Sequence, residues 1–117
     1  MESVTIILRR PPYGTVDAPE AIRHALGGIT DDMSVKLVLL DGGVHAARKR
    51  QDTSGTEYLS AEEGITDCID MGVEVYADRM SLKEEHLEPD DIIEGIIVTG
   101  GDGIAEIIRE PGLVMIF

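Results

Sequence analysis

The stretch MGVEVYADRMSLKEEHL, residues 71–87, reads as a short apolar strand, an abrupt exit and a charged helix. Val73 to Ala77 is rich in residues that fit a pleated sheet. Ser81-Leu-Lys-Glu84 carries the serine-to-glutamate spacing of a capping box, so a third, short helix is expected to start there. A strand that passes straight into a helix is one half of a β-α-β unit. In such units the carboxyl end of the strand is where chemistry sits, which puts the attention on Ala77, Asp78 and Arg79.

Working outward, four further runs have the same strand character: Val4 to Leu8, Val35 to Leu40, Ile96 to Thr99 and Leu113 to Phe117. They are rich in Val, Ile and Leu and mostly lack strict alternation, as expected of parallel strands covered on both faces. Helix signals separate them. Asp17-Ala-Pro-Glu20 opens an apolar stripe of Ala21, Ile22, Ala25 and Leu26 that Gly27-Gly28 is expected to end. Ser60-Ala-Glu-Glu63 precedes Ile65, Cys68 and Ile69, and Glu88-Pro-Asp-Asp91 opens a turn or a single helical turn. A last helix starts at Asp102, runs through Ile104, Ile107 and Ile108, and stops near Pro111-Gly112. This alternation predicts a single-domain α/β protein over residues 1–117, with a doubly wound, mainly parallel five-stranded sheet, right-handed crossovers and helices on both faces. The longest gap between strands contains QDTSG, residues 51–55, the most loop-like stretch.

With 117 residues there is room for one core and one site at most. No apolar run approaches the roughly 20 residues needed to cross a bilayer, and the start, MESVTIILRRPP, resembles a first strand more than a secretion signal. A soluble cytoplasmic protein is expected. Twenty-three acidic against ten basic residues give a formal charge of −13, which repels a phosphate backbone, so no direct nucleic-acid contact is expected. Arg48-Lys49-Arg50 is the only dense basic stretch and reads as a solvated turn. The acidity fits either a salt-rich cytoplasm or a recognition surface.

A single cysteine, Cys68, excludes an internal disulfide, and His24, His45 and His86 form no metal-ligand spacing, so no metal and no cofactor are expected. Gly100-Gly-Asp-Gly103 opens a helix after a strand, but Glu106 stands where a dinucleotide fingerprint needs glycine, and there is no Walker lysine. Asp41-Gly42-Gly43 reads as a turn that lets the chain leave the sheet. His45 could exchange protons near neutral pH, but no nucleophile adjoins it. Cys68, the sole candidate nucleophile, lies on an apolar helical stripe between Asp67 and Asp70, where a small core residue is the simpler reading. A binding crevice would draw on Tyr13, Asp41, Gly42, Gly43 and Asp78, with Gly100 to Gly103 nearby, all at carboxyl ends of strands.

Four segments in order then resemble the DsrE/DsrF-like sulfur-relay superfamily, and within it the TusC/DsrF-type subunit most. They are Arg10 to Gly14 after the first strand, Leu39 to Val44 ending the second, Val75 to Asp78 preceding Ser81 to Glu84, and Leu113 to Phe117. The resemblance covers nearly the whole chain. It implies a small α/β subunit that packs with homologous subunits as a homo- or hetero-oligomer, a trimer or hexamer, and that meets a sulfur-carrier protein. In active members a cysteine in the loop after strand three accepts a persulfide. By spacing from Leu82 that position is Ala77 or Asp78, and neither is a thiol. The resemblance therefore implies a non-catalytic or auxiliary subunit. The alternatives are a sulfur carrier using Cys68, or a small-ligand or nucleotide-binding module.

Overall fold

The computed structural model describes residues 2–117. Its strands are β1 (Ser3–Leu8), β2 (Ser34–Leu39), β3 (Glu74–Asp78), β4 (Ile97–Thr99) and β5 (Leu113–Ile116). The helices are α1 (Asp17–Thr30), α2 (Ala61–Asp70), α3 (Arg79–Glu84) and α4 (Gly101–Arg109), with 3₁₀ segments at Asp41–Ala47 and Pro89–Asp91. All four strand pairings are parallel, and the sheet order is β4-β3-β2-β1-β5. The expected doubly wound architecture is present.

Right-handed crossovers decide which face each helix covers. From β1 to β4 the chain moves steadily one way, which keeps α1, α2 and α3 on one face. The step from β4 back to β5 runs the opposite way and puts α4 on the other. The first face holds the main core, in which Ile6, Leu8, Leu37, Leu39, Ile65 and Cys68 are fully buried. Under α4 the core is small: Ile104 and Ile107 close over Ile7 and Val38.

Two helix boundaries differ from expectation. Helix α1 does not end at Gly27-Gly28 but continues to Thr30, and Asp32, in left-handed conformation (φ 62°), turns the chain. Gly28 is there for contact: a Cβ at that position would lie 2.9 Å from Val35 Cγ2, so the glycine lets the helix lie close on the sheet. Helix α3 starts at Arg79, not at Ser81. Asp78 is its cap, and its carboxylate takes the Ser81 N–H at 3.0 Å. An aspartate three residues ahead of the serine satisfies the first turn sooner than the serine can.

Candidate functional site

The carboxyl ends of β1, β2 and β3 are tied together by short polar contacts. Leaving β2, Asp41 takes a left-handed conformation (φ 51°), which aspartate tolerates, and its carboxylate pairs with Arg9 at 3.2 Å. The Asp41 N–H donates to Ser81 Oγ at 2.9 Å, and the Ser81 hydroxyl donates to Asp78 at 2.6 Å. One buried serine thus joins the exit of β2 to the exit of β3. On the same side of α3, Glu85 Oε1 lies 2.9 Å from His45 Nε2, a hydrogen bond that the Nε2–H imidazole donates. His45 therefore has a carboxylate for its partner, not a nucleophile.

Asp41, Asp78 and His45 are brought to this one edge. Gly42 and Gly43 lie there too, but tightly covered. A Cβ on Gly42 would meet Pro11 Cδ at 2.9 Å, and one on Gly43 would overlap the Leu8 carbonyl oxygen. The Gly43 N–H donates to the Arg9 and Leu40 carbonyls at 3.1 and 2.8 Å. Tyr13 faces a different neighbourhood. Its hydroxyl bonds to the Gln51 side chain and accepts the Ala61 N–H at 3.3 Å, and its ring meets that of Tyr58 edge-on, with centroids 5.5 Å apart.

Gln51, at the head of the most loop-like stretch, is a staple. Its amide NH₂ donates to the Arg48 and Ala46 carbonyls at 2.8 and 3.1 Å, while its backbone N–H donates to Glu62 at 2.9 Å. The basic triplet before it is also only partly a solvated turn. Arg48 forms an antiparallel bridge with Ile92, and its Nε is buried without a partner; Arg50 pairs with Asp91 at 3.4 Å.

Cys68 is fully buried in α2, facing the main core. Burial pushes its thiol up from 9.0 to about 11, and the charge of Asp67 adds to the effect. It is a neutral thiol at physiological pH, on the helix layer, and its carbonyl accepts the Val73 N–H at 2.9 Å beside the amino end of β3. Ser81, Glu85 and Gln51, which the sequence does not mark as site residues, each have a partner distant in the chain: Asp41, His45 and Tyr13.

Adjacent strands β3 and β4 send their chains to opposite faces, α3 to one and α4 to the other. That divergence opens a crevice at their carboxyl ends. Gly100 sits in it beneath Arg79, and a Cβ there would be 3.3 Å from the guanidinium.

A five-stranded parallel sheet of this order, with a polar carboxyl edge and its one thiol sealed in the core, defines a small doubly wound α/β protein without an exposed sulfur nucleophile. The chain belongs to the DsrE/DsrF-like family, whose model matches residues 2–117. It is 36% identical over 87 residues to the intracellular sulfur oxidation protein DsrF of Allochromatium vinosum, an alignment that covers 74% of this chain and 64% of that protein. It is 28% identical over 117 residues to an uncharacterized protein of Methanopyrus kandleri, covering 100% of this chain and 95% of the relative. Among solved structures, the ychN protein from E. coli superposes over 100% of both chains with a TM-score of 0.89 at 17% identity, a likeness of fold. A protein of unknown function from Methanobacterium thermoautotrophicum does so over the same coverage with a TM-score of 0.79 and 17% identity.

Proposed function

We propose that this chain is an auxiliary, non-catalytic subunit of a sulfur-relay complex, most like a TusC/DsrF-type subunit, and that a partner chain supplies the sulfur-carrying thiol. The observation that carries the reading is the division between Asp78 and Cys68. Of the two positions at the end of β3 where the family resemblance expects a persulfide-bearing cysteine, Ala77 is a buried methyl and Asp78 a carboxylate that caps α3, while the one thiol present is buried and neutral. A carboxylate cannot hold sulfane sulfur, and a thiol that is not ionised attacks a persulfide slowly.

Assembly with homologous subunits is supported by apolar side chains left open around α4 and on the two edge strands. Ile97, Ile108, Val114 and Ile116 are all exposed there, on the face where a nine-residue helix covers only the middle of five strands. An exposed apolar patch of this kind marks an interface.

Native mass spectrometry before and after incubation with a persulfide donor tests the reading. The expected result is an oligomer whose chains gain no sulfur. A gain of one sulfur atom (about 32 Da), lost in the Cys68→Ser variant, would make the chain a sulfur carrier itself. A protein that stays monomeric at micromolar concentration would count against the subunit role.

A further inference from the structure

Helix α3 has two faces with different tasks. Ser81 and Glu85 hold it to the 3₁₀ segment after β2. Arg79, Leu82 and Lys83 follow the spacing of one helical stripe, and together with His86, beyond the helix end, they line a groove of about 970 Å³. The far wall of the groove is Ile96, just before β4, and Val98 within it, and its floor is Leu82, Ile92 and Ile93, which are buried. Lys49 also lines it.

The charges here run against the character of the chain. The protein has 23 carboxylates for ten lysines and arginines, yet Lys49, Arg79 and Lys83 form no ion pair among the described residues. Of the other seven lysines and arginines, Arg9, Arg10, Arg23, Lys36 and Arg50 have carboxylate partners, while Arg48 and Arg109 have none among the described residues. The acids that line the groove, Glu88, Asp90 and Glu94, belong to the segment between α3 and β4, which Lys49 adjoins by donating its backbone N–H to the Asp91 carbonyl at 2.7 Å. A negative group is therefore drawn toward the unpaired Arg79 and Lys83 of α3.

We propose that this groove binds a small organic anion with an aliphatic body, its head held by Arg79, Lys83 and Lys49 and its body laid on Leu82, Ile96 and Val98. The volume is within the range of ligand pockets. The guanidinium of Arg79 can grip a carboxylate, sulfonate or phosphate head through two parallel hydrogen bonds. Gly100 leaves that guanidinium its space. The inference rests on the groove alone and holds whether or not the chain serves a sulfur relay.

Sodium octanoate, below its micelle concentration, is a suitable probe, with 1-octanol as its uncharged counterpart, each titrated into the isotope-labelled full chain and followed by NMR. Saturable shifts are expected at the amides of residues 79–86 and 95–98. Octanol should bind about tenfold or more weakly, the size of a lost hydrogen bond to a charged group. The Arg79→Glu/Lys83→Glu variant, altered only at exposed positions, should lose octanoate binding by a similar factor with the rest of its spectrum unchanged. Equal binding of octanol and octanoate, shifts scattered over the surface, or unchanged octanoate binding by the variant would overturn the assignment. So would tighter binding at the same amides by a short peptide of alternating Glu and Val, since that would make the groove a seat for strand addition at the free edge of β4.

Discussion

Asp78 accepts two hydrogen bonds from Ser81, one from the backbone N–H at 3.0 Å and one from the hydroxyl at 2.6 Å, while Ser81 Oγ accepts the Asp41 N–H. The aspartate is thus both the cap of α3 and the anchor of a serine that spans two strand ends. Asp78→Ala should cost about 1–2 kcal/mol, the upper part of the range for a lost cap, because the serine loses its acceptor as well. Urea unfolding of the two proteins measures it. Asp78→Asn keeps an acceptor oxygen and should recover most of the loss.

Cys68 should be inert in the folded protein. A thiol reagent at neutral pH is expected to leave the native chain unlabelled and to label it fully in denaturant. The same burial makes stability depend on alkaline pH. The folded thiol ionises near about 11 and the unfolded one near 9.0, so stability present below 9.0 is lost as the pH rises toward 11, by roughly 3 kcal/mol at most. Tyr76 is raised too, chiefly by burial. For Lys36, burial pulls downward, but its hydrogen bond to Glu110 and the nearby carboxylates prevail and raise it. Both groups therefore lose stability with rising pH in the same sense. Unfolding midpoints measured between pH 8 and 11 should fall less steeply for Cys68→Ala than for the parent.

Two neighbouring glycines of α1 should respond with opposite signs. Nothing lies within 4 Å of a Cβ built on Gly27, so Gly27→Ala should stabilise by about 0.5–1 kcal/mol through helix propensity alone. Gly28→Ala puts its methyl 2.9 Å from Val35 and should destabilise by about 1–3 kcal/mol, as overpacking does. Thermal unfolding of the pair distinguishes helix propensity from helix-to-sheet distance.

Removing the Gln51 side chain should loosen a loop more than it weakens the core. In Gln51→Ala the Arg48 and Ala46 carbonyls and the Tyr13 hydroxyl lose their partner, at a cost of about 1–3 kcal/mol. Limited proteolysis should then cut within residues 52–59 faster than in the parent.

The strands and three of the helices were legible because the Val, Ile and Leu runs are bounded by turn residues and the capping patterns are local. Ser60 does accept the Glu63 N–H at 3.3 Å, as its sequence pattern implies. The start of α3 was misplaced because two overlapping patterns, Asp78 to Ser81 and Ser81 to Glu84, both describe a first turn, and only the backbone decides between them. Asp41 and Asp78 could be assigned to one edge from strand ends alone. The role of Ser81 between them could not, nor the division of α3 into a fixed and an open face, because both depend on β2 lying beside β3 and on β4 lying outermost. Tyr13 and Gln51 are 38 positions apart, and nothing local in either residue announces the other.

The sheet order also carries a consequence for how the molecule assembles. β1 lies between β2 and β5, and the pairing of Val4 with Leu113 joins the first strand of the sheet to its last. On the ribosome, β1 can gain its β2 neighbour early but must wait until β5 has been made before its other side is closed. Through that interval it presents a bare edge of Val, Ile and Leu, the kind of edge on which nascent chains stick to one another. Folding of this family member should therefore be paced by its most distant contact, and its yield should depend on what shields that edge in the meantime.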